Sequence, residues 1–202
     1  MKNTILRIEI SVLIALVICC ATNINTFSKQ CDNIRDKMLR MHVIANSDSK
    51  EDQELKLKVR DAVLEEGKEL FDGSVTSKEA EKILTPHIKE LEEVSLETIK
   101  NEGFDYKVKI TVGEEYFKTR TYDNSVTLPA GYYTAVKVVI GEGQGQNWWC
   151  VMFPPMCLPA ANAECELSDV LNTDETDIVT NSEKYKFKFK IVEFLEDLMK
   201  RK

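Results

Sequence analysis

An apolar run near the N-terminus constrains this chain more than any other feature. Lys2 and Arg7 precede the uncharged run ISVLIALVICCA (10–21), and the polar stretch 22–30 follows it. A basic start, an apolar centre and a polar exit are the parts of a secretory signal peptide. The run is shorter than the roughly 18–20 residues that a comfortable membrane span needs, although the apolar residues just before it would lengthen it. We therefore expect export, with residues 1–28 acting as a signal peptide or an N-terminal membrane anchor, and both alternatives stay open.

Length and charge narrow the class of the remaining chain. With 202 residues, of which 43% are hydrophobic, the chain is long enough for a globular domain with a substantial core. Acidic residues outnumber basic ones, 34 against 27, and the two signs are interspersed. Nucleic-acid binding needs a concentrated basic surface, so we expect no nucleic acid among the partners.

If the chain is exported, its cysteines outside the apolar run can form disulfide bonds. Two of the six lie in the apolar run, and the others would meet an oxidising compartment, where several pairings are open. We favour a bridge between Cys150 and Cys157. Pro154 and Pro155 would turn the chain between them and bring the two sulfurs within bridging distance. The exported cysteines are Cys31, Cys150, Cys157 and Cys165.

The spacings of metal and redox centres are absent from the sequence. Zinc sites use close pairs of cysteines with further cysteine or histidine nearby, whereas His42 and His87 lie far from the C-terminal cysteines. A thioredoxin-like centre needs C-x-x-C, which the sequence lacks. We expect no metal and no cofactor.

A strand followed by a capped helix is predicted at the start of the globular part. The run MLRMHVIAN (38–46) is rich in strand-forming residues, and the turn cluster at 46–48 closes it. Apolar residues then recur at helical spacing through 50–67. Asp48 or Ser49 can cap this helix, because each has an acidic residue three positions later.

Two further helices are predicted in the next part of the chain. Thr76 and Glu79 have the spacing of a capping box, which would start the first of them. Pro86 would interrupt that helix, since proline lacks the amide hydrogen of a helix interior. Thr85 and Pro86 would then start a second helix that ends at Gly103.

Strands dominate the middle of the chain, and the end is helical. Strands are predicted at 104–112, within 116–131, at 132–141 and at 147–153, with a turn at Gly113. We interpret the glycine-rich segment 141–146 as a flexible hairpin connection, because it matches no phosphate-binding motif. The small and acidic stretch that ends at Ser182 has no periodicity and predicts a long loop, and an amphipathic helix is predicted in the tail 184–202.

These elements predict an α+β fold. It would contain a mainly antiparallel sheet of about four to five strands, two to three packed helices and a C-terminal helix. We assign residues 29–159 to the α+β domain and residues 160–202 to an acidic loop and the C-terminal amphipathic helix.

The segment NWWCVMFPPMC (147–157) is the most unusual stretch of the domain. Trp148 and Trp149 are adjacent, so in a strand their side chains point to opposite faces. Either one enters the core while the other stays free for a partner, or both pack in the core of a two-sided sheet. Tryptophan suits both roles.

Catalytic motifs are missing from the sequence. A Ser-His-Asp site would have to combine His42, Asp48 and a distant serine, but His42 lies among alternating strand residues and Asp48 lies in a capping turn. The signatures G-x-S-x-G and H-E-x-x-H do not occur. We therefore expect a protein that is not an enzyme.

Two long blocks of the sequence carry a family resemblance. Residues 39–64 (LRMHVIANSDSKEDQELKLKVRDAVL) and 128–157 (LPAGYYTAVKVVIGEGQGQNWWCVMFPPMC) closely resemble the stage II sporulation protein R family, with the FKTRTY stretch at 117–122 between them. The likeness extends from about Arg40 to Cys157. Both blocks are long and unusual, so the resemblance is specific.

The resemblance implies an exported signalling protein of endospore-forming bacteria, made in the forespore. Members of the family act in the space between the two membranes. There they switch on a membrane-embedded aspartic protease of the mother cell, which matures the precursor of a sigma factor. The implied partner of this chain is that protease. An exported hydrolase built from His42, Asp48 and distant acidic residues, and a structural protein of the intermembrane space, are the alternatives.

No residue-level assignment for receptor contact comes with the resemblance, so the contact site is our own hypothesis. We expect an apolar patch whose shape is held by Cys150 and Cys157, and the turn with Asn46 and Asp48 is the second choice. The patch consists of Trp148, Trp149, Phe153, Pro154 and Pro155.

Overall fold

The computed structural model describes residues 2–68, 70, 76–122, 126–154, 167 and 170–200. Within these residues, five helices and six strands are formed. The helices are α1 (Lys2–Asp36), α2 (Lys50–Lys68), α3 (Ser77–Asn101), α4 (Thr173–Thr180) and α5 (Ser182–Lys200). The strands are β1 (Leu39–Ile44), β2 (Val108–Phe117), β3 (Arg120–Tyr122), β4 (Val126–Leu128), β5 (Gly131–Ile140) and β6 (Asn147–Phe153).

A four-stranded mixed sheet with the order β2-β5-β1-β6 forms the centre of the molecule, and β3 and β4 form a separate two-stranded ribbon. β1 pairs with β5 in parallel and with β6 in antiparallel orientation, and β2 pairs antiparallel with β5. The predicted α+β class is confirmed. The predicted hairpin at 141–146 is wrong, because β1 lies between the two strands that this loop connects.

One face of the sheet packs against α2 and α3 in an apolar core. Alternate residues of β1 point to this side, namely Leu39, Met41 and Val43, as the strand period of two requires. Leu91 and Ile99 of α3 meet them from the other layer and are fully buried.

The opposite face of the sheet packs against a more varied layer. The C-terminal part of α1, the β3–β4 ribbon, α4 and α5 together cover one end of this face. They form a second apolar cluster with Tyr133 and Ala135 of β5. The residues of this cluster that α1 contributes are Phe27, Cys31 and Ile34.

Pro86 does not divide the helical region, so the prediction of two helices there is wrong. α3 is a single helix of 25 residues with Pro86 inside it, and its capping box at Thr76 and Glu79 is present as predicted. The Thr85 hydroxyl donates to the Glu81 carbonyl, 2.6 Å away, instead of capping a new helix. One continuous apolar stripe, buried from Ala80 to Ile99, holds the helix together across the proline.

Two other local expectations differ from the structure. Gly113 does not turn the chain but pairs with Ala135 inside β2, so this strand is longer than predicted. Part of the stretch expected to be a loop forms α4, whose N-terminus has a complete capping box between Asn172 and Glu175. The C-terminal amphipathic helix predicted in 184–202 is confirmed as α5.

α1 crosses the boundary predicted at residue 28 without a break. It is long and apolar enough to cross a membrane, by length and composition, and the described domain buries none of its apolar window. Phe27 nevertheless packs in the second cluster against Tyr185 and Phe189 of α5, with ring centroids 5.6 and 5.4 Å away. The exposed apolar segment is therefore continuous with a segment that belongs to the folded domain.

Candidate interaction surface

The two tryptophans of the predicted patch lie on opposite faces of β6. Trp148 is on the side of α2, and its side chain is 36% exposed. The guanidinium carbon of Arg60 lies 4.6 Å from its ring centroid. Trp149 is half-buried on the other face, where it stacks on His42 with ring centroids 3.7 Å apart. The predicted divergence of the two side chains is confirmed.

The remaining members of the predicted patch are less accessible. Phe153 is 6% exposed and belongs to the apolar core, and Pro154 is buried. Pro155 lies outside the described residues. Of the five residues, Trp148 alone is classed as exposed among those that the structure describes. Receptor contact by the patch stays a prediction, and Trp148 is the place to test it.

The predicted disulfide is only half within the described residues. Cys150 is buried and disulfide-bonded, whereas Cys157 and Cys165 lie outside the described ranges. Cys31 is a free thiol buried in the second cluster. The pairing of Cys150 with Cys157 therefore stays a prediction, and α1 contributes a reduced cysteine.

The turn with Asn46 and Asp48 interlocks with the glycine-rich loop at 141–146. The Asn46 side-chain oxygen accepts from the Glu142 amide at 3.0 Å, and the Asp48 carboxylate accepts from the Gln146 amide at 2.7 Å. Close approach requires glycine here, because a Cβ on Gly145 would lie 2.2 Å from the Ser47 carbonyl oxygen. The loop is thus held by the turn, not flexible as the sequence suggested.

A buried carboxylate, Asp52, organises the same turn. Its side chain accepts from Asn46 at 2.9 Å and from the Ser47 hydroxyl at 2.6 Å. Burial alone would raise the pKa of Asp52, but the hydrogen bonds from Ser47, Asn46 and Tyr106 outweigh it and lower this pKa below its usual value. The amide of Asp52 donates to the Ser49 hydroxyl at 3.2 Å. Ser49 therefore caps α2, and Asp48, the other candidate cap, bonds to the loop instead.

On the second face of the sheet, His42 is the centre of a polar cluster. Its Nδ1 lies 2.9 Å from the Glu115 carboxylate, and its Nε2 lies 2.7 Å from the Asn147 side-chain oxygen. Lys137 donates to the same Glu115 oxygen at 3.3 Å. With Trp149 stacked on the imidazole ring, this cluster connects all four strands of the central sheet.

The geometry brings together only part of the hydrolase site considered from the sequence, because His42 contacts the distant acidic residue Glu115 but Asp48 is engaged elsewhere. Both ring nitrogens of His42 are engaged by Glu115 and Asn147, while Asp48 bonds to the loop at Gln146. Among the described residues, no group of three or more metal-ligating side chains could hold a metal ion. The hydrogen bonds of this cluster hold the side chains of His42, Glu115 and Asn147 in fixed positions on the face of the sheet.

Arg40 is the residue of this face that sequence reasoning missed as a site. It lies on β1 two positions before His42, and its side chain is completely buried. The sequence does contain a signal for it, because residues two positions apart in a strand lie on the same face, which places the charged Arg40 beside His42. The burial of Arg40 depends on the β3–β4 ribbon, and local sequence patterns do not predict where that ribbon packs.

Comparisons with known proteins identify the family of the chain. The model of the family described as stage II sporulation protein R matches residues 35–163. Stage II sporulation protein R of Bacillus subtilis (strain 168) is 37% identical over 132 residues, which cover 65% of this chain and 58% of that protein. The chain thus matches less than two thirds of the relative's length. No solved structure matches. The chain belongs to the stage II sporulation protein R family.

Proposed function

We propose that this protein is an exported signal of sporulation that activates a membrane-embedded aspartic protease and so triggers maturation of a sigma-factor precursor. It would be made in the forespore and act, without catalysis of its own, in the space between the two membranes. Family membership over residues 35–163 is the observation that carries this proposal, since it places the chain in sporulation.

The N-terminal helix supports the location. Its apolar segment fits a signal peptide or a membrane anchor, and the described part of the domain leaves that segment unburied. Because α1 continues unbroken to Phe27 and Ile34 in the second cluster, an uncleaved helix would hold the domain close to the membrane surface. A ligand held there is well placed to meet a membrane-embedded receptor.

Trp148 supports a role in partner contact. An exposed tryptophan with an arginine stacked on it is the type of side chain that dominates binding at protein interfaces. Binding through such a residue would activate the protease by favouring its active arrangement. A ligand shifts such an equilibrium only by binding one state more tightly than the other.

A site-specific crosslinking experiment tests the partner and the surface together. A photoreactive residue replaces Trp148 in the exported chain, in cells that also produce the membrane protease. The matched control carries the same residue at Phe187 of α5, which is 76% exposed and therefore also tolerant of change. We expect a crosslink to the protease from position 148 and a much weaker one from position 187.

The crosslinking results distinguish an error in the assigned surface from an error in the assigned partner. Equal capture from positions 148 and 187 would contradict the assignment of the surface. Failure of both positions to capture the protease, with export confirmed, would contradict the proposed partner.

A further inference from the structure

Arg40 places a positive charge inside the protein without an acidic partner among the described residues. Its side chain has 0% relative exposure, and no salt bridge to it is formed among the described residues. The atoms Nε and Nη1 are buried without a hydrogen-bond partner in the described part of the chain. Removing a guanidinium from water is costly unless it is paired, and each unmade hydrogen bond adds to that cost.

Aromatic rings compensate only part of this cost. The guanidinium carbon lies 4.1 Å from the ring centroid of Phe117, 4.8 Å from that of Tyr133 and 5.4 Å from that of Tyr122. Nη2 also donates to the Tyr122 hydroxyl. Cation–π contacts are weaker than the hydration that a buried charge loses. The site is therefore built to hold a cation whose negative partner is missing from the described residues.

A cavity of ≈ 270 Å³ lies beside Arg40 and offers room for such a partner. Lys118 and Arg120 at the cavity's edge are exposed, so the cavity combines a buried cation with two accessible ones. This concentration of positive charge occurs in a chain of net charge −7. The cavity is lined by Arg40, Tyr116, Phe117, Lys118, Arg120 and Trp149.

We propose that this cavity binds a carboxylate group, which pairs with Arg40 while Trp149 and Phe117 contact the apolar part of the ligand. One buried guanidinium matches the single charge of a carboxylate. The volume of the cavity lies just below the range for small-molecule sites, roughly 300–1,000 Å³, so the ligand is small or is one side chain. The proposal is independent of protease activation, since it rests on Arg40 and its surroundings alone.

Direct binding to the full-length chain in detergent micelles tests this site. The probes are glutamate blocked at both ends, its neutral analogue blocked glutamine, glutarate and inorganic phosphate. Binding is followed through the NMR signal of the Trp149 indole, which the variant Trp148→Phe assigns. We expect saturable binding of at least one carboxylate probe and at least tenfold weaker binding of blocked glutamine and phosphate.

Variants connect the binding to the cavity. Arg40→Met should weaken carboxylate binding at least tenfold, and Arg120→Gln should weaken it several-fold. Lys109→Gln is the matched control, because Lys109 is an exposed cation at the far end of β2 and should leave binding unchanged. Arg40→Met should also unfold at the same or a higher denaturant concentration than the unmodified chain, since it removes an unpaired buried charge.

Each result supports or overturns the proposal. Preference for blocked glutamate over glutarate assigns the carboxylate to an acidic residue of a protein, and the reverse order assigns it to a free acid. Equal binding of blocked glutamine, tighter binding of phosphate, unchanged binding by Arg40→Met or no binding of any probe would overturn the carboxylate site. A large loss of stability in Arg40→Met would show instead that the arginine serves the fold.

Discussion

The two faces of the central sheet bury different kinds of side chain, although the same strands form both. On the face covered by α2 and α3, β1 contributes only apolar side chains, Leu39, Met41 and Val43, to the core. On the other face the same strand contributes Arg40 and His42, which are equally buried but polar. Both faces therefore bury apolar side chains, but the second face also buries polar groups of β1 beside its apolar cluster.

The largest effect should come from the apolar face. Replacing Leu91 by alanine removes a fully buried side chain from the core under α3. Loss of burial and the resulting cavity should cost roughly 2–5 kcal/mol of unfolding free energy. Chemical denaturation measures this loss. Arg40→Met is expected to leave the unfolding free energy unchanged or to raise it. If Leu91→Ala cost as little as Arg40→Met, the contrast between the two faces would be wrong.

A medium effect should come from the turn after β1 that interlocks with the loop at 141–146. In Gly145→Ala, the new Cβ would lie 2.2 Å from the Ser47 carbonyl oxygen, so the backbone must shift. We expect a loss of about 1–3 kcal/mol in unfolding free energy. Gly113→Ala is the matched control, because a Cβ there meets no atom of the described chain within 4 Å. Equal stability of the two variants would contradict the interlock.

The smallest effect should be a dependence of stability on pH through Asp52. Its pKa in the folded protein lies below the unfolded value of about 3.9. The charged form is therefore favoured by folding, and its contribution is complete above the unfolded pKa and is lost as pH falls through the folded pKa. Denaturation at several pH values should show a shallower acid dependence for Asp52→Asn. Identical pH profiles of the two proteins would show that the carboxylate does not stabilise the turn.

Local patterns in the sequence predicted the part of the fold that depends on local interactions. The alternation in β1, the cap of α2 at Ser49 and the capping box at Thr76 each follow from residues within a few positions of one another. Pro86 misled the prediction, because the buried apolar stripe of α3 outweighs one missing hydrogen bond. α4 was missed although Asn172 and Glu175 have the spacing of a capping box.

Features that depend on distant pairing were not predictable in the same way. The loop at 141–146 resembles a hairpin connection, but β1 is inserted between β5 and β6 and pairs with both. The candidate site shows the same limit. Strand parity predicted the divergence of Trp148 and Trp149, whereas the burial of Arg40 arises from aromatic residues of β2, β3 and β5 that only the tertiary structure gathers around it.

The most direct test of the proposed function is a processing assay in a non-sporulating host. The host exports this chain and also produces the membrane protease and the sigma-factor precursor, and a matched host lacks this chain alone. We predict that the precursor is cleaved only when the chain is present. Equal cleavage in both hosts, with export and folding of the chain confirmed, would contradict the conclusion that this protein is the activating signal.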